Sequence, residues 1–423
     1  MRRWIFVALL LAILVAGLIT APPTAAQDEH SDNIVHLFNS PQEEFTNSDL
    51  AIWGKHLYLG NYGGFRIFDI SDPASPEEII SFPCPASQND LSVWKDLLFV
   101  SVDGVRDKKS CDSQTTTSTE EGFQGIRIFN VADPADPRYI RSVQAECGSH
   151  THTLVPGPKD ADGKRHEVYL YVSSYPSGSA QYNCESAHNK ESVIKVPLAA
   201  PEKAKVTFQL DTTPGNGCHD VTVFMQLEIA AGACRSEGQI WDISNPAKPE
   251  VKEHFENDEI SFWHSAAFTW DAKYLAIGDE FGGGGTPGCP NPNTSVGAIW
   301  LYDMKDLSEP VSYFGLPRFQ DVETCTAHNF NFIPVAGRYV LVASFYGGGV
   351  SVIDFTDPAN PVELAYYDAE GADTWSSYWF NGFIYANDIA RGLDVFKLNE
   401  GFTKNATTWK NLNPQTQFKT IRD

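Results

Sequence analysis

A chain of 423 residues with 42% hydrophobic and 12% aromatic content can bury a large core, and 20% charged residues is ordinary for a globular protein, so a disordered chain is excluded. The formal charge of −23 argues against nucleic-acid or anionic-membrane partners, because phosphate contacts need clustered Lys and Arg. Eight cysteines with no C-x-x-C pair point to disulfides rather than a thiolate metal cage.

At the N-terminus, Arg2 and Arg3 precede an apolar run from Trp4 to Ile19, and the small residues Thr24 and Ala26 suit cleavage before Gln27. Residues 1–26 thus read as a secretory signal. The apolar run is short for a membrane span and acidic sequence follows it, so the mature chain is expected to be secreted, extracellular or periplasmic, without a transmembrane helix.

The mature chain alternates short apolar runs with turn signals at intervals of about 40–70 residues, the spacing of propeller blades with loop insertions. The clearest element is a strand running into a turn, as in GGFRIFDISDPASP at 63–76. Copies stand at 125–137, 238–249, 297–310 and 348–361, with weaker ones at 192–201 and 392–398. Each follows an inner hairpin, beginning in turn at Ser48, Asn89, His150, His219, His264, His328 and Trp375. Residues 325–366 are the cleanest unit. Their four runs, His328 to Pro334, Tyr339 to Phe345, Gly349 to Phe355 and Val362 to Tyr366, make a four-stranded antiparallel meander.

After Leu398 the sequence turns polar and the last blade lacks a fourth strand, while Asn33 to Phe38 (NIVHLF) offers a spare one. Pairing the two closes the ring without an open edge. The expected fold is all-β: a seven-bladed β-propeller over 27–400, closed by an N-terminal strand, with a tail at 401–423 packed on the outside. These repeat units resemble those of the LVIVD-repeat family of exported bacterial β-propellers, over nearly the whole mature chain. The resemblance implies the architecture and no particular activity.

In a propeller the first strand of each blade lines the central channel, so His150, His219, His264 and His328 are expected to form an arc at one level. Imidazole suits Zn, Cu and Fe, and a rigid ring would preorganise the ligands. Asp49, Asp90 and Asp220 follow ring positions, and Asp103, Asp279, Glu280 and Asp388 end second strands that return to the same face. Such carboxylates can ligate, orient a histidine or act as general bases, and Asp279, Glu280 and Asp388 are the catalytic candidates. A polar, water-filled channel and an organic-ligand pocket are the other readings.

Cys84, Cys147, Cys218 and Cys325 stand shortly before ring positions, whereas Cys111, Cys184, Cys234 and Cys289 lie in the insertions between second and third strands. Sequential pairing, Cys84 to Cys111, Cys147 to Cys184, Cys218 to Cys234 and Cys289 to Cys325, would staple each insertion beside the channel mouth. The connectivity is a geometric expectation, since eight cysteines allow 105 pairings. The functional expectation is a monomer binding a metal ion or small molecule at that mouth. A metal-dependent oxidoreductase or hydrolase on the same site, and a cell-surface interaction scaffold, stand beside it.

Overall fold

The computed structural model describes residues 28–419, apart from 119, 176–181, 185–187, 215–216, 285–292, 319–323 and 400; the expected signal segment lies outside these. Among the described residues, seven sheets, antiparallel except for one pairing with the C-terminal tail, follow one another around a ring, and none of the few helical turns is long and apolar enough to cross a membrane. The chain is a seven-bladed β-propeller with at least four strands in every blade.

The expected blade at 325–366 has strands at Phe330–Ile333, Val340–Ser344, Val350–Asp354 and Val362–Asp368. Its repeat signature has a local cause. The aspartate ending the third strand accepts the N–H two residues on, as Asp354 does from Thr356 at 2.8 Å, Asp69 from Ser71 at 2.8 Å and Asp242 from Ser244 at 2.9 Å. The next Asp or Asn repeats the device before the proline, as Asp72 does with Ala74 and Asn245 with Ala247. Two successive Asx turns thus reverse the chain toward the outer strand. Six of the seven blades then carry a register shift where the outer strand pairs, which steepens the local twist.

Apolar residues on the blade faces form seven large clusters, one at each blade junction. That between the first and last blades joins Leu50, Ile52 and Leu57 to Tyr378, Tyr385 and Val395. Ring closure is as expected: Ile34–Ser40 pairs antiparallel with Gly392–Leu398 as the fourth strand of the last blade. Glu29–His30 adds a short fifth strand to the preceding blade through Asp368 and Tyr367.

The C-terminal tail does not pack on the outside. It crosses the end of the channel and pairs with inner strands: Asn411–Leu412 with Asn47–Trp53 of the first blade, and Thr416–Gln417, in parallel, with Asp220–Phe224 of the fourth. Inner strands have a free edge toward the axis, and tail side chains satisfy it. The Asn413 amide donates to Val93 O at 2.9 Å and accepts from Val93 N at 2.7 Å; Gln417 makes the same pair of bonds with Phe268.

Candidate metal centre in the central channel

The inner strands start at the end of the channel opposite the tail, and four successive starts bring their histidines together. His150 Nε2 lies 2.8 Å from His219 Nε2; the rings of His219 and His264 are 3.8 Å apart, and those of His264 and His328 4.3 Å. The arc expected from the repeat is one contiguous cluster. Of the three candidate catalytic carboxylates, Glu280 reaches it, with oxygens 3.6 Å from His264 Nε2 and 3.8 Å from His328 Nε2. Asp279 instead accepts bonds from Ser261, Phe262 and Gly297, and Asp388 from Asp373, Thr374, Ala390 and Arg391, so both tie loops to their blades.

Two triads have donor atoms within 4.8 Å of one another: His219, Asp220 and His264, and His264, Glu280 and His328. Nitrogens bound to one ion at about 2.1 Å each stand roughly 3.0–3.4 Å apart, so the side chains are already close to a ligating arrangement. His264 belongs to both triads. It is fully buried, and neither Nδ1 nor Nε2 has a hydrogen-bond partner. Leaving a buried polar group unsatisfied costs about 1–3 kcal/mol, so two on one ring is what a missing ligand would leave behind.

Burial keeps His219, His264 and His328 in the neutral form that ligates. Burial pushes His328 down to about 3, and burial with neighbouring histidines holds His219 and His264 well below the usual range. Burial raises the Glu280 carboxyl to about 7, against the opposing hydrogen bond from the Tyr346 hydroxyl. The first histidine is oriented by Asp103, whose carboxylate lies 3.1 Å from His150 Nδ1, and His328 Nδ1 lies 2.5 Å from Trp375 O.

Aromatic side chains roof the cluster. The Tyr175 hydroxyl is 2.9 Å from His150 Nε2, Trp375 packs on His328 and Phe262 on His219. The Arg235 guanidinium lies over the Tyr175 ring at 4.6 Å. Arg235, Phe262 and Gln88, whose amide is 3.3 Å from His150 Nε2, escaped the sequence reading. Two of them had a signal: Gln88 immediately precedes the ring position Asn89, and Arg235 follows Cys234. Tyr175, beside the second-strand end of the third blade, and Tyr346, in the loop after the second strand of the sixth, come from the insertions and turns at the mouth.

Three of the expected disulfides are formed: Cys84 to Cys111, Cys147 to Cys184 and Cys218 to Cys234. Cys325 is also disulfide-bonded, while its expected partner Cys289 lies outside the described residues. Such bonds fit an oxidising compartment. Arg318, Arg391 and Lys190, cations near the mouth, face Glu363, Asp394 and Glu146.

Fold and site together define a seven-bladed propeller with a buried cluster of histidines and carboxylates on its axis. The chain carries LVIVD repeats, matched at residues 46–83, 239–257 and 331–369. It is similar in structure to a candidate 6-phosphogluconolactonase from Bacteroides uniformis, with a TM-score of 0.56 at 13% identity over 86% of this chain and 96% of that one. It is similar too to the WD40 repeats of RRP9, with a TM-score of 0.55 at 9% identity over 88% of this chain and 99% of the other. At these identities the likeness is one of fold alone. No curated protein matches the chain.

Proposed function

We propose that this is an exported propeller that binds a transition metal ion, zinc, iron or copper, through His150, His219, His264 and His328, with Glu280 or Asp220 completing the set. The observation that carries the reading is His264, fully buried between two other histidines with both ring nitrogens unpartnered. A bound ion there would supply Lewis acidity; the chain's own contribution is a dry, rigid ligand set. Elemental analysis of protein purified without chelator or affinity metal should find near-stoichiometric metal, and His264→Ala should lose it. Metal-free protein that takes up none of Zn, Cu or Fe on titration overturns the reading.

A second reading, a metal-dependent hydrolase or oxidoreductase, draws support from Glu280, a carboxylate beside two of the histidines and hydrogen-bonded to a tyrosine. That placement suits a group that accepts a proton beside the ion. Turnover of a metabolite panel that disappears in Glu280→Gln while metal content stays constant would separate an enzyme from a binder; a panel without turnover leaves the binder. Stoichiometric metal also sets both readings apart from a scaffold acting through its outer faces.

A further inference from the structure

The far end of the channel holds a different kind of site. Three inner strands end here in large aromatics: Trp53 closes Asn47–Trp53, Trp94 closes Leu91–Trp94 and Phe224 closes Asp220–Phe224. With Trp270, Phe332 and Trp409 of the tail, they line a cavity of about 340 Å³. Small-molecule sites are of this kind: roughly 300–1,000 Å³, mainly apolar and aromatic, with a few polar groups that fix orientation. No residue that lines this cavity belongs to the two histidine triads, so the two sites are distinct.

The amide side chains in the lining are used within the protein, as Asn331, Asn413 and Gln417 are on backbone groups of Trp379, Val93 and Phe268. Trp94 Nε1 and Trp409 Nε1 are buried with no hydrogen-bond acceptor, although the neighbouring Trp270 Nε1 donates to Arg338 O at 2.8 Å. Among the described lining residues there is no carboxylate, and Lys410 supplies a positive charge. A cage meant for an organic cation would carry the opposite charge beside its tryptophans, so this one favours a ligand with a flat apolar body and an anionic, acceptor-bearing end. Long-range repulsion from the net charge of −23 is screened beyond roughly 10 Å at ordinary salt.

We propose that this cavity binds a planar aromatic carboxylate, its ring stacked among the tryptophans and its carboxylate held by Lys410. The tail makes part of the wall, so the site exists only when the tail is seated across the channel.

The test uses the full chain and 2-naphthoate as probe, with 2-naphthalenemethanol and 2-naphthylmethylammonium as neutral and cationic counterparts. Quenching of tryptophan emission and calorimetry should show saturable one-to-one binding of the acid, about tenfold or more weaker for the ammonium. Lys410→Gln should weaken the acid about three- to tenfold and leave the alcohol unchanged, and Trp94→Phe, which replaces the indole of the wall with a smaller ring, should weaken both. Melting curves of the two variants check that the fold is retained, and His264→Ala should bind the probe normally. Absence of saturable binding overturns the proposal. So does equal affinity for the three probes, or a fully folded pair of variants that bind the acid as tightly as the parent.

Discussion

His152 and His264 are both buried histidines on inner strands, and their surroundings give them different chemistry. His152 Nε2 lies 2.8 Å from the Ser92 hydroxyl and Nδ1 2.8 Å from the Ser101 hydroxyl, so both nitrogens are used within the protein. His264 has neither nitrogen used. His152→Asn should therefore destabilise the fold by about 1–3 kcal/mol in chemical denaturation while metal content is unchanged, the reverse of the pattern expected for His264→Ala. Loss of metal with His152 would place the centre lower in the channel. Asp49 makes a separate prediction. It is buried beside the channel, and burial raises its carboxyl to about 6 although Leu50 N–H and the Tyr378 hydroxyl bond to it. A carboxyl whose folded pKa is raised is held more tightly as the acid in the fold, so its contribution falls as pH climbs from about 4 through 6. Burial raises Asp90 with the same sign. In metal-free protein, Asp49→Asn should gain stability relative to the parent as pH rises through that window and flatten the pH profile; parallel profiles would refute the assignment.

At the scale of elements, the legible parts of the sequence were those whose cause is local. The third strands and their turns could be read because Asp69, Asp242 and Asp354 close Asx turns within two residues, and because strands buried on both faces carry apolar runs. The histidine arc followed from the same frame, since a position repeated in every blade recurs at one level around the axis. The path of the tail is not legible in the sequence for a physical reason: Asn413, Thr416 and Gln417 dock by hydrogen bonds to backbone groups of distant blades, which leaves no apolar periodicity. Seating depends on these polar contacts, so Asn413→Ala should cost about 1–3 kcal/mol in thermal or chemical unfolding and expose the inner edge near Val93 to hydrogen exchange. Unchanged stability and protection would show the segment to be a passive cover. Glu280 and Tyr346 were equally hard to pair from sequence, because their contact spans two blades and 66 residues.

For the whole molecule, each blade packs mainly on its two neighbours, and the loops at the mouth are held by disulfides. The bonds close loops with separations of 27, 37 and 16 residues, each worth about 2–4 kcal/mol by restricting the unfolded chain. Reduction should accordingly lower the unfolding midpoint in denaturant, with proteolysis beginning in the mouth insertions; an unaltered midpoint and digest would mean that the ring alone sets stability.

The order in which the chain closes its ring also bears on how it is made. Residues 34–40, among the first of the described chain to be synthesised, have no partner strand until 392–398 exist, and the axis is not spanned until 411–417 follow. Synthesis proceeds from the N-terminus at about 5–20 residues per second, so for most of that time the nascent ring has an unpaired edge at its seam and an open axis. Folding of this propeller is thus completed only with the last segment, and a ribosome-stalled chain ending before residue 411 should remain sensitive to protease at the first and last blades alike.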